Sequence, residues 1–243
     1  MIVYFLGTAS GLPHPDKKHS AILIKDNYHT FLIDCGEGVS QTFVKERINI
    51  EDLDLIFITH THPDHLSGIY MLLQFFHMQA RQKELEIYLP ESIDLFISSL
   101  NFMYLFLDTL SFPIKFLSCS QINEKYKNLS TFSTEHLTKN ADFVINKKLE
   151  NKLFSFGISL HTNSKTLTYT SDISTINEVM GSLLKTDILI VDSIHPKVED
   201  ILELAKIIKD KIYLTHGCTQ ELFDIVKENE KFVIVDDMHR FIF

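Results

Sequence analysis

Residues 59–68 read Thr-His-Thr-His-Pro-Asp-His-Leu-Ser-Gly, and no other stretch limits the possible folds of this chain as strongly. The apolar run 53–58 leads into them, and an apolar pattern with helical spacing begins at Ile69. On extended backbone His60 and His62, two apart, project their imidazoles to the same side. Asp64 and His65 follow where the chain turns into the helix. Neutral imidazole and carboxylate oxygen are the donors that suit zinc and related divalent metals. A polar, His-rich loop is the plain alternative. Placement directly after a buried strand favours a metal site, provided that ligands from elsewhere complete it.

The rest of the chain alternates strands and helices. Strands are expected at 1–6, 20–25, 29–34, 86–89, 114–117, 129–135, 142–145, 152–161, 166–170, 187–192, 211–214 and 231–235. Helical spacing is expected over 39–47, 69–83, 91–107, 176–184, 198–209 and 220–228. The helix at 91–107 carries too many apolar groups for one narrow stripe, which suits core packing, a dimer face or the wall of an apolar pocket. Asp54-Leu-Ile-Phe-Ile-Thr-His60 is echoed by Asp210-Lys-Ile-Tyr-Leu-Thr-His216, each an acidic start, an apolar strand and Thr-His. Two strand-rich halves of this kind suggest two sheets packed together with helices outside. No linker or low-complexity stretch separates them, so residues 1–243 read as a single domain. Three more candidate ligands end expected strands: His136, Asp172 and His216.

Composition narrows the partners. The chain has 32 acidic against 23 basic residues, a net charge of −9. Nucleic-acid binders draw most of their affinity from cationic contacts to phosphate, so this balance argues against a large nucleic-acid substrate. No apolar run approaches the ~20 residues of a membrane span. The N-terminus enters a strand without a basic n-region, so no signal peptide is expected. Three widely spaced cysteines (Cys35, Cys119, Cys218) fit free thiols in a reducing cytoplasm.

The 59–68 stretch resembles the signature of the metallo-β-lactamase superfamily, and within it the chain is most similar to the ribonuclease Z branch. Phe5-Leu-Gly-Thr-Ala-Ser-Gly-Leu-Pro, Leu32-Ile-Asp-Cys-Gly-Glu-Gly-Val-Ser-Gln41 and residues 57–68 carry the likeness. It implies an α/β, four-layer αββα fold with two mixed sheets between helices. It also implies two divalent metals, zinc first, with manganese or iron as alternatives. By resemblance, His60, His62 and His136 hold one ion, and Asp64, His65 and His216 the other. Asp172 bridges them by the same likeness; the acid–base chemistry of a carboxylate at such a site would also let Asp64 orient the attacking water or take its proton. Asp34 is either a buttress behind the histidine loop or, with Gly36, a plain turn after a strand.

Two departures bear on substrate. Family members carry a long Gly/Pro-rich arm between the third His and the bridging Asp, which grips transfer RNA, whereas 136–172 here reads as ordinary strands. Their His-Glu-Ala-Thr motif falls on Val191-Asp-Ser-Ile194, so Asp192 stands for the Glu and Val191 for the His. His195 is then either a substitute proton donor or an ordinary loop histidine. These features favour a phosphodiesterase acting on a small phosphodiester such as a cyclic nucleotide, as armless relatives of ribonuclease Z do. A transfer-RNA 3′-processing nuclease, a lactone or carboxylic-ester hydrolase, and a non-catalytic scaffold on the same fold are the alternatives.

Overall fold

Strands buried along their whole length lie inside each sheet, and the strands at the edges are only partly buried. The structure is a computed structural model that describes residues 1–243. In chain order it begins with β1 (Ile2–Gly7), β2 (Ala21–Lys25), β3 (Thr30–Ile33), α1 (Val39–Lys45), β4 (Leu55–Phe57), α2 (Pro63–Leu66) and α3 (Ile69–Met78). There follow β5 (Leu85–Leu89), α4 (Ile93–Phe102), β6 (Ile114–Ser118), α5 (Ile122–Lys125), β7 (Leu129–Thr134) and α6 (Ala141–Lys147). Next come β8 (Ser155–His161), β9 (Thr166–Tyr169), α7 (Met180–Leu183), β10 (Ile188–Asp192) and α8 (Val198–Ile207). The chain closes with β11 (Ile212–Thr215), α9 (Gln220–Val226), β12 (Phe232–Ile234) and β13 (Arg240–Ile242). Two compact units result: Met1–Cys119 with Asp237–Phe243, and Ser120–Asp236.

The first unit holds a seven-stranded mixed sheet ordered β13-β1-β2-β3-β4-β5-β6. β13, β1, β2 and β3 are antiparallel neighbours, and β3 to β6 run parallel. β3, β4 and β5 are buried throughout, as continuous apolar runs in parallel sheets are. In α3 the buried residues Ile69, Leu72, Leu73 and Phe76 recur at helical spacing, one stripe facing the core. They pack with Val39 and Phe43 of α1, Phe96 and Leu100 of α4, and the sheet residues Leu6, Leu23, Leu32, Ile56 and Ile87. Arg81, fully buried, caps this core. Its guanidinium donates to the carbonyls of Leu53 (2.7 Å), Glu84 (3.1 Å) and Ile50, between the rings of Phe76 and Phe112. Burial lowers the Arg81 pKa, and the ring of carbonyls compensates for its lost hydration.

The second unit holds a six-stranded mixed sheet ordered β12-β11-β10-β9-β8-β7. β9 to β12 are parallel, and β7, β8 and β9 antiparallel. Leu189 and Val191 of β10 and Ile212 and Leu214 of β11 pack under Ile201 and Leu204 of α8 and Leu222 and Val226 of α9. A buried hydroxyl chain crosses the sheet from Ser159 to Thr168 (2.9 Å) and on to Thr186 (2.7 Å), so these polar groups satisfy one another.

Three expectations are corrected. Residues 142–145 are not a strand but part of α6, which lies in the connection between the directly paired β7 and β8. β13 went unread; it is three residues long and lies at an edge with Arg240 and Ile242 exposed. The helix expected over 91–107 is α4 alone, ending at Phe102. Phe96 and Leu100 supply its core contacts, whereas Leu95, Phe102, Met103, Tyr104 and Phe106 are exposed.

Candidate functional site

In the first unit β4 hands the chain to Ile58, Thr59 and His60, all fully buried. His62 sits in extended backbone at the N-cap of α2, with Pro63 opening the helix as its fixed φ suits that position. Segments 34–36 and 64–68 press backbone on backbone. Cys35 N–H donates to His65 O (2.8 Å) and Gly68 N–H to Cys35 O (2.9 Å). A Cβ on Gly68 would lie 2.0 Å from Gly36 O, and one on Gly36 2.3 Å from Asp64 O, so only glycine fits at either place. The contact holds the 59–68 stretch in register with Asp34.

Asp34 is buried with φ 60° and accepts from Thr59 N–H (2.8 Å), Thr59 Oγ1 (3.0 Å) and His65 Nδ1 (2.8 Å). Its carboxylate can only accept, so His65 carries its proton on Nδ1 and its lone pair on Nε2. The Thr59 hydroxyl spends its proton on Asp34 and therefore accepts from His60 Nδ1 (3.1 Å), which places the His60 lone pair on Nε2 as well. His60 Nε2 is 3.1 Å from His62 Nδ1, and His65 Nε2 is 3.5 Å from Asp64 Oδ2. Two ligand atoms about 2.0–2.1 Å from a tetrahedral ion stand roughly 3.3–3.4 Å apart, so these pairs fit the edges of such a coordination shell.

The second unit builds a cluster around Asp172, which follows β9. Asp172 Oδ2 is 3.5 Å from His136 Nε2, 3.3 Å from His216 Nε2 and 3.9 Å from His195 Nδ1. All but His195 are buried. His195 keeps 31% of its side chain exposed and stacks on His216 with ring centroids 5.5 Å apart. Its Nδ1 donates to Asp192 Oδ2 (2.7 Å), and Asp192 also receives N–H groups from Ile173, Ile194 and His195. The hydrogen bond to Asp192 raises the His195 pKa above its ordinary value, against the opposing effect of burial.

Each sequence-derived site residue thus lies in a cluster within its unit: His60, His62, Asp64 and His65 with Asp34 behind them, and His136, Asp172 and His216 with Asp192 and His195. Both clusters have the His/Asp donor chemistry that binds divalent metal ions. Of the two readings of Asp34, the hydrogen bonds favour the buttress, and Gly36 beside it serves the close backbone approach. Cys218 is half-buried and its thiol contacts Thr219 O. Burial pushes the Cys35 and Cys119 thiols up, so both stay protonated.

Three supporting residues escaped sequence reasoning. Thr59 relays Asp34 to His60. Ser193 Oγ donates to Thr215 O (2.9 Å) and contacts Gly217 O, clasping the left-handed turn at His216. Glu178 accepts from Ser174 and Thr175 N–H, just after Asp172, and from Glu135 N–H, just before His136. Only Glu178 left a signal, since Thr175-Ile-Asn-Glu178 is a capping-box pattern.

The chain as a whole is similar to several known proteins. A family model described as "Anti-Pycsar protein Apyc1" matches residues 1–239. A ribonuclease Z of Archaeoglobus fulgidus is 30% identical over 146 residues, 59% of this chain and 47% of that protein. The chain thus aligns with about half the length of this relative. Among solved structures, the metallo-β-lactamase fold protein YhfI of Bacillus subtilis superposes with a TM-score of 0.76 at 18% identity, over 99% of this chain and 98% of its own. The short form of human tRNase Z does so with a TM-score of 0.72 at 20% identity, over the same shares. These likenesses show the metallo-β-lactamase fold expected from the sequence.

Proposed function

The chain is a ribonuclease Z-like member of the metallo-β-lactamase superfamily and belongs to the Anti-Pycsar protein Apyc1 family, and we propose from this that it is a metal-dependent hydrolase of small phosphodiesters such as a cyclic nucleotide. The observation that carries the proposal is Asp172, whose one oxygen Oδ2 is shared between the ring nitrogens of His136 and His216. A carboxylate placed between two histidines is what two neighbouring cations require of a bridge. We assign His60, His62 and His136 to one divalent ion, Asp64, His65 and His216 to the other, and Asp172 to both. Divalent ions held by these residues would lower the pKa of water to give a nucleophile at neutral pH and would offset charge on the phosphoryl oxygens.

The chain's own groups do the rest. Asp64, 11% exposed, orients the attacking water and takes its proton as the new P–O bond forms. His195, with Nδ1 held by Asp192, presents Nε2–H and gives that proton to the leaving oxygen as the old P–O bond breaks. Asp192 favours the doubly protonated ring that this donation needs and also anchors Ile173, next to Asp172. A small substrate agrees with the stretch between His136 and Asp172, which is taken up by α6 and the β8–β9 hairpin. It also agrees with the acidic net charge.

The second reading, trimming of precursor transfer RNA, draws on the ribonuclease Z relatives. Turnover of a cyclic nucleotide, bis(p-nitrophenyl) phosphate, a lactone and a precursor transfer RNA by one preparation of known metal content separates the readings. We expect close to two divalent ions per chain, loss of at least one in folded His62→Ala, and turnover of the small diesters. Absence of bound metal together with no activation by zinc or manganese would refute the hydrolase. Position-specific trimming of the RNA without diester turnover would put the second reading first.

A further inference from the structure

The chain contains twenty lysines but only three arginines, Arg47, Arg81 and Arg240. Arg81 is the buried core cap. The other two line one cleft of about 490 Å³ in the first unit. We propose that this cleft is a second ligand site, for an organic phosphate: a phosphate held by the two guanidiniums, with an apolar body on the floor.

The floor is one face of the sheet. Tyr4 pairs with Arg240 on β13 and with Leu23 on β2, so the three side chains form a row across neighbouring strands. Leu6, Ile48 and Met238 extend the apolar surface around it. The volume falls within the roughly 300–1,000 Å³ typical of small-molecule sites.

Charge points to an anion. Lys25, Arg47 and Arg240 face the cleft against Glu46 and Asp52, a cationic balance in a chain whose total is −9. The two carboxylates are already engaged. Asp52 accepts from Asn49 Nδ2 (2.7 Å) and pairs with Lys25 (3.4 Å), and Glu46 lies 3.9 Å from Lys45. Neither the Arg47 nor the Arg240 guanidinium makes a hydrogen bond or ion pair with the chain. The end of α1 does not oppose an anion with bare carbonyls, since Val44 O and Phe43 O accept from Arg47 and Ile48 N–H. Two planar forks suit the oxygens of a phosphate better than lysine ammonium groups do.

Arg47 also occupies a position that favours another residue. It follows α1 with φ 52°, in the left-handed turn where glycine ends a helix without steric cost. An arginine there is disfavoured by the backbone and brings its guanidinium to the cleft. The cleft lies toward the end of the sheet where Lys25 pairs with Thr30 and β4 begins, whereas His60 lies beyond the other end of β4. A ligand here leaves the histidine cluster open.

The test uses 15N-labelled protein with its metals in place, titrated with phenyl phosphate, inorganic phosphate and benzoate. Phenyl phosphate should shift the amide signals of Tyr4, Ile48, Met238 and Arg240 saturably, with a dissociation constant of about 1 mM or below. Benzoate, with a single charge, should bind about tenfold more weakly, and inorganic phosphate, lacking the apolar body, likewise. Arg47→Gly combined with Arg240→Gln should weaken phenyl phosphate at least about tenfold and leave diester hydrolysis unchanged. Because glycine suits the turn, Arg47→Gly alone should weaken binding while holding or raising Tm. No saturable shift at these four amides, shifts only around His60 and His62, benzoate equal to phenyl phosphate, or undiminished binding by the double variant would each overturn the proposal.

Discussion

One buried carboxylate sets the tautomers of two histidines, His65 directly and His60 through the Thr59 hydroxyl. Removing it frees both rings at once. Asp34→Ala should therefore lower metal affinity by about 10–100-fold, the usual effect of losing a hydrogen-bond partner behind a ligand. Competition with a chromophoric chelator measures this. Affinity equal to the parent's would show that packing alone orients the rings. His195 is separable by leaving group. His195→Ala should cost about 10²–10⁴-fold on a diester with an alkyl leaving group, where a proton must be supplied. On a p-nitrophenyl diester the loss should stay below about tenfold, because that phenolate leaves without help. Equal losses on both would place His195 in support of the cluster instead.

At the level of elements, Asp187 ties the start of β10 to the start of β9. Its carboxylate accepts from Thr166 N–H (2.9 Å), its own N–H donates to Thr166 O (2.9 Å), and Lys209 lies 3.3 Å away. The Thr166 hydrogen bond, aided by Lys209, lowers the Asp187 pKa. A depressed carboxyl contributes stability that is present above its unfolded value and lost as pH falls through the folded one. Asp187→Asn should thus be less stable at neutral pH by at most about 1 kcal/mol, with the difference vanishing in acid. Denaturant midpoints at pH 7 and below pH ~3 measure it, and a difference that grew in acid would contradict the assignment. The same scale shows what sequence could convey. The 59–68 stretch was legible because its spacing acts locally, two residues on extended backbone and then a Pro-started helix. His136, Asp172 and His216 were legible as strand ends. Phe143, Val144 and Ile145 misled because a short apolar run takes its state from whatever lies beside it, and β7 pairs with β8 rather than with this segment. Thr59, Ser193 and Glu178 act through partners far away in the chain, which local pattern does not reveal.

For the whole molecule, net charge and substrate size are linked. Hydrolysis of a small diester should change little between about 50 and 200 mM salt, whereas cleavage of a long RNA held by many phosphate contacts would fall by orders of magnitude. A steep salt dependence for the small diester would mean that its anchoring lies in exposed cations. Construction order is a different matter, and β13 governs it. Asp237 accepts from Thr8 N–H (3.0 Å), Thr8 Oγ1 (2.9 Å) and Lys18 N–H (2.7 Å), and β13 then pairs along β1. As the chain leaves the ribosome, β1 is made before the entire second unit, yet its outer edge and the loop after it wait for residues translated after that unit. The unit begun first is finished last. Until then β1 keeps an open row of N–H and C=O groups, the kind of edge on which nascent chains pair with one another. A nascent chain stalled before Asp237 would carry the histidines of both clusters and its second sheet, and aggregation would be its main hazard.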